Sequence, residues 1–136
     1  MESAGERRMK EMVTREIPRS EWLEFFDAFS RRHDGWLVTV EVFGDLGAQV
    51  EAEERALKGI FAEDKGGSSQ IEILTGSGPD ETLTHVVSRP TRVQVEETPE
   101  GAEAALQIES RDQGKTLVRF RSTVLPESVD GVAREP

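Results

Sequence analysis

Between Trp22 and Phe29, aromatic rings recur at Trp22, Phe25, Phe26 and Phe29. This is the i, i+3, i+4, i+7 spacing of one helix face, so it predicts an amphipathic helix with an aromatic stripe. Ser20 stands where an N-cap hydroxyl would accept from the first free N–H groups, and Glu21 suits the first turn. Arg31, Arg32 and His33 place positive charge at the carbonyl end, and Gly35 supplies a left-handed stop. Glu24, Asp27, Ser30 and Arg31 are assigned to the opposite, wet face. A stripe this apolar needs a large apolar cover, and only the rest of the chain can supply it.

From Trp36 the period changes to two. Trp36, Val38, Val40 and Val42 fall on one side, and Leu37, Thr39, Glu41 and Phe43 on the other, as in a half-buried strand. After Gly44-Asp45-Leu46-Gly47 the next run sets Ala48, Val50 and Ala52 inward. Paired residues share a face, which predicts an odd loop with Val42 opposite Ala48 or Val50 rather than a two-residue turn. Leu57 to Phe61, Ile71 to Thr75, Leu83 to Ser88 and Val93 with Val95 read as further short strands, punctuated by glycine-rich turns and Pro90. Glu97 to Ala105 reads as a loop or one helical turn. In the last hairpin Asp112-Gln113-Gly114 is the expected loop, with Ile108 opposite Val118 and Leu106 opposite Phe120.

The predicted fold is α+β, mainly β: an N-terminal amphipathic helix on a strongly curved antiparallel sheet or small barrel of about eight short strands. Residues 1–15 are expected to form a mobile arm, 16–122 a single globular domain and 123–136 a disordered tail.

Composition narrows the function classes. With 27 acidic against 17 basic residues the net charge is -10, a field that repels phosphate backbones and anionic lipid, so nucleic acid and membrane are unfavoured partners. The chain has no cysteine, which removes disulfides, thiolate nucleophiles and zinc–thiolate sites and fits a reducing cytoplasm. No stretch approaches the ~20 apolar residues of a bilayer-spanning helix, and the N-terminus has no secretory apolar core.

Candidate chemistry is sparse. His33 has an ordinary role at the helix terminus. His85 alternates with Leu83 and Val87 and is the acid–base candidate, given a nearby carboxylate. Glu41, Glu51, Glu53 and Glu54 are candidates for a hard cation, with a solvated strand face as the plainer reading. Lys115, Arg119 and Arg121, with Arg92, form a basic strand face that would suit an acidic partner or RNA; the chain has no tyrosine to stack bases. Gly76-Ser77-Gly78-Pro79 lacks the lysine and the following helix of a phosphate loop. No cofactor is indicated.

The segments TREIPRSEW from Thr14, FFDAFSR from Phe25, HDGWLVT from His33, GAQVEA from Gly47 and TLVRF from Thr116 together resemble an uncharacterised bacterial domain-of-unknown-function family. The resemblance spans Thr14 to Arg121 and leaves the residues before Met12 outside. It implies a free-standing soluble bacterial protein and supplies no activity, cofactor or catalytic residue. The expected function is therefore a non-catalytic protein-binding or self-assembly domain, with exposed strand edges and the outward Leu37, Phe43 and Leu117 as its surface. A small enzyme or small-molecule binder built on His85 is the alternative, and a weak RNA binder the third.

Overall fold

Three of the four rings of the stripe are buried as its spacing predicts, and Phe25 is partly buried beside them. In a computed structural model describing residues 12–45, 47–65 and 68–121, helix α1 (Trp22–Arg32) turns Trp22, Phe26 and Phe29 inward at 5%, 1% and 0% exposure. Burying rings of this size is worth roughly 2–3 kcal/mol each. Trp22 Nε1 donates to Ile17 O at 2.9 Å, which satisfies the buried indole. The helix does not start on a Ser20 cap: a 3₁₀ turn (Arg19–Glu21) precedes it, and Glu21 N donates to Pro18 O at 2.8 Å. Gly35 ends the helical segment at φ 86°.

Ser30 is not on the wet face. It is 9% exposed, accepts from Ile60 N at 2.8 Å and donates to Ile60 O at 3.1 Å, so one hydroxyl joins the helix to the sheet.

The cover is one antiparallel sheet of eight strands: β1 (Val13–Ile17), β2 (Leu37–Gly44), β3 (Gly47–Lys65), β4 (Ser68–Gly78), β5 (Glu81–Ser88), β6 (Pro90–Glu97), β7 (Glu103–Ser110) and β8 (Gly114–Phe120). Their order is β1-β6-β7-β8-β2-β3-β4-β5, so the ladder is open and β1 and β5 are its edges. Strand structure starts at Val13, within the span read as an arm; residues 1–11 of that arm and the expected tail from 123 lie outside the described residues.

Strand β3 departs most from the sequence reading. Gly44 pairs with Gly47 and Val42 with Gln49, so the connection is a two-residue turn, and Ala48 and Val50 face outward. The odd residue sits further along. Val50 pairs with Glu41 and Ala52 with Val40, which leaves Glu51 as a bulge that turns Ala52 inward. A second irregularity sets Glu53 and Glu54 against Thr39, with Glu54 at φ 49°, and a third at Lys58 lets both Leu57 and Ile60 face inward. Two short strands predicted by alternation are thus one bent strand.

The last hairpin keeps its predicted faces in a different register. Ile108 pairs with Thr116, Leu106 with Val118 and Ser110 with Gly114, because the loop is Arg111–Gln113 and Gly114 joins the ladder at φ 78°. Ser110 Oγ accepts from Asp112 N at 3.0 Å and Gln113 N at 3.1 Å, holding that loop.

Candidate functional site

Three places carry chemistry or an uncovered surface. The first is the face of the sheet turned away from α1. Strands β7, β8 and β2 are central, and their register puts Ala105 beside Arg119, Gln107 beside Leu117, Leu117 beside Glu41 and Lys115 beside Phe43. Val50 continues this surface opposite Glu41. Period-two alternation puts Val50, Phe43, Leu117 and Ala105 on this face as diagonal neighbours on adjacent strands, with Phe43 39% and Val50 53% exposed and Ala105 buried at 5%. An open groove of about 720 Å³ runs here, with Phe43, Leu117 and Ala105 among its lining and Glu96, Glu109, Lys115 and Arg119 around them. Phe43 and Leu117 were legible as outward residues; Leu37 is half-buried opposite Ala56 and outside the groove.

The basic strand face lies on this surface as a charge-balanced one. Arg119 Nη2 meets Glu41 Oε1 at 2.5 Å, Arg121 approaches Glu54 at 3.5 Å, Arg92 reaches Glu109 at 3.6 Å, and Lys115 is the ladder partner of Glu109. These partners offset the positive potential that an RNA backbone would need.

The second place is built around His33. The helix end delivers its ring into an aromatic enclosure, with Phe29, Phe120 and Trp36 centroids at 4.4, 4.6 and 4.8 Å. Nδ1 lies 2.9 Å from Phe29 O, and Nε2 lies 3.2 Å from Glu103 Oε1, with side-chain exposures of 6% and 9%. Arg32 Nη2 donates to both oxygens of Glu103 at 2.9 and 2.8 Å. Glu103 points here because β7 carries a bulge at Ala104: Glu96 pairs with Ala105 and Glu97 with Glu103, which turns Glu103 to the helix side. Burial pushes the His33 imidazole below its ordinary value, against the pull of the Phe29 carbonyl and Glu103, while Arg32 adds to the lowering. Helix patterning placed His33 at the terminus but held no signal for Glu103, which fell in a segment read as loop.

The third place is His85, half-buried on β5. Its Nε2 is buried without a hydrogen-bond partner among the described residues, as is Oγ1 of Thr75, and the two side chains line one cavity of about 40 Å³ with Glu51 and Thr84. Burial lowers the His85 pKa, partly offset by Glu51. A space this small admits a water molecule and no substrate. The acidic candidates are dispersed: Glu41 serves Arg119, Glu54 serves Arg121, and Glu51 faces the His85 cavity. No three metal-ligating side chains gather among the described residues, so Glu41, Glu51 and Glu53 are not brought together as a site.

A helix-covered, open and bulged antiparallel sheet with an uncovered central face defines the class: an α+β domain, mainly β. Within that class the chain belongs to a family of unknown function, DUF5335, whose pattern matches residues 13–129 and starts beyond Met12, where the resemblance in the sequence also began. It is similar to an uncharacterized protein of Aquifex aeolicus (strain VF5), 27% identical over 118 residues, covering 85% of this chain and 100% of the relative. No solved structure gives a significant match. No helix among the described residues is long and apolar enough to cross a membrane.

Proposed function

We propose that this chain is a non-catalytic assembly domain that pairs with a second copy of itself through the outer face of its sheet. The observation that carries this reading is the open groove lined by Phe43, Leu117 and Ala105, with exposed Val50 on the same face beside it and basic Lys115 and Arg119 and acidic Glu96 and Glu109 around it. A two-fold axis sets the same patch against itself, so a surface carrying both charge signs beside an apolar strip is self-complementary. A cysteine-free, acidic chain supports a cytoplasmic setting for the assembly.

Sedimentation velocity at micromolar concentration is the test. The wild-type chain is expected as a dimer, and Phe43→Glu as a monomer with an unchanged far-ultraviolet circular dichroism spectrum. A wild-type chain that stays monomeric up to its solubility limit rejects the proposal.

A further inference from the structure

A second cleft, of about 530 Å³, opens on the helix side of the sheet, lined by Arg15, Arg32, His33, Trp36, Ala102 and Glu103. Its volume lies in the range that small ligands occupy. Both ring nitrogens of His33 face oxygen acceptors, the Phe29 carbonyl at 2.9 Å and the Glu103 carboxylate at 3.2 Å. A neutral imidazole carries a single N–H, so one of these contacts lacks a proton until the pair takes up another.

The charges at the cleft, counted with their ion-pair partners, come from four elements. Arg32 of α1 is bonded to Glu103 of β7, and Arg15 of β1 donates through Nη2 to Glu97 of β6 at 3.1 Å. With Glu97 counted through its bond to Arg15, two cations and two anions cancel, so the additional proton leaves this set positive by one, and a monoanion in the cleft restores neutrality. Suitable donors are in place. Among the described residues Arg15 and Arg32 each commit only Nη2, which leaves Nη1 and Nε of each half-exposed guanidinium for a carboxylate. Trp36, half-buried and edge-on to His33, adds a flat apolar wall.

We propose that this cleft binds a small monocarboxylate with an apolar body, holding its carboxylate between Arg15 and Arg32 and taking up one proton from solvent on the His33–Glu103 pair. This site is on the opposite face from the assembly surface and stands independently of it. Because burial depresses the imidazole in the free protein and the bound anion favours the charged ring, affinity rises as the pH falls, by up to about tenfold per unit.

Isothermal titration with benzoate and with hexanoate tests this, using benzamide as the uncharged control. The expected result is binding of at least one carboxylate and none of benzamide, tightening between about pH 8 and about pH 6. Repeating the titration in two buffers of different ionisation heat is expected to show about one proton taken up per carboxylate bound. Arg15→Gln, at a half-exposed position that keeps the fold, is expected to weaken binding about tenfold, and His33→Gln to remove the pH dependence. Millimolar silence from both carboxylates, equal binding of benzamide, or binding without proton uptake overturns the proposal.

Discussion

The side-chain amide of Gln113 lies against the edge of β5 at Ser88 as a neighbouring strand would: Oε1 accepts from Ser88 N at 2.7 Å, and Nε2 donates to Val86 O at 3.1 Å. Ser110 Oγ adds a bond to Ser88 O at 2.5 Å. Arg89, at φ 47°, is the single residue between edge strand β5 and β6 at the far side of the ladder order, so the sheet has to curl to bring these strands together. Side chains of the β7–β8 hairpin, rather than an eighth ladder, hold that approach.

Gln113→Ala removes a donor and an acceptor while leaving a partly buried N–H behind, so it is expected to cost about 1–3 kcal/mol in urea unfolding. Amide hydrogen exchange at Ser88 is expected to accelerate more than exchange in β8. Unchanged exchange there would show that the edge is protected by something else.

Ser30→Ala acts at the other joint. Its hydroxyl both accepts from and donates to Ile60, and the substitution strands two backbone groups of β3 beneath the helix. The expected loss is about 1–3 kcal/mol, with little change in the denaturant slope because the same surface is exposed on unfolding. Asp27→Ala, on the exposed helix face, is the comparison and is expected to change stability by less than about 1 kcal/mol.

Sequence pattern carried the parts of this fold that repeat without interruption. The ring stripe of α1, the inward Val38 and Val40, and the alternating faces of β7 and β8 were all legible, because a fixed period reports a face directly. Glu51 and Lys58 mark where it stopped being legible: each bulge inserts one residue, reverses the alternation, and makes one long strand look like two. β1 escaped notice because an edge strand buries little, and only Ile17 of its five residues is buried. The outer face was half visible, since Phe43 and Leu117 read outward, but Val50 joined them there only through the bulge at Glu51. His33 was visible as a helix terminus; its partner Glu103 was not, since nothing local announces a carboxylate delivered by a bulge on a distant strand.

Stability is expected to fall as the pH drops below neutrality. Burial holds the folded pKa values of both His85 and His33 below the ordinary histidine value of about 6.5, so between the folded and unfolded values the unfolded chain binds more protons. Their neutral forms are therefore favoured by folding, and stability is greatest above about pH 6.5 and declines below it. Urea midpoints from about pH 8 to about pH 6, where histidines are the side chains that titrate, check this. His85→Gln is expected to flatten the profile; a midpoint that rises on acidification would contradict both assignments.

Gly114 links the hairpin to the outer face. It sits at φ 78° directly against β2, and a Cβ there would run into the carbonyl oxygen of Phe43, so alanine meets both an unfavourable backbone region and a backbone collision. Neither partner is a flexible side-chain end, and relief requires β8 to move away from β2 at the point where Phe43 and Lys115 pair. Gly114→Ala is accordingly expected to cost more than about 1 kcal/mol in urea unfolding and, because the groove is walled by these strands, to weaken self-association in the variant that remains folded. Gly47→Ala is the control. It shares a positive φ of 95° but meets nothing within 4 Å, so it is expected to show the backbone strain alone and leave the sedimentation profile unchanged.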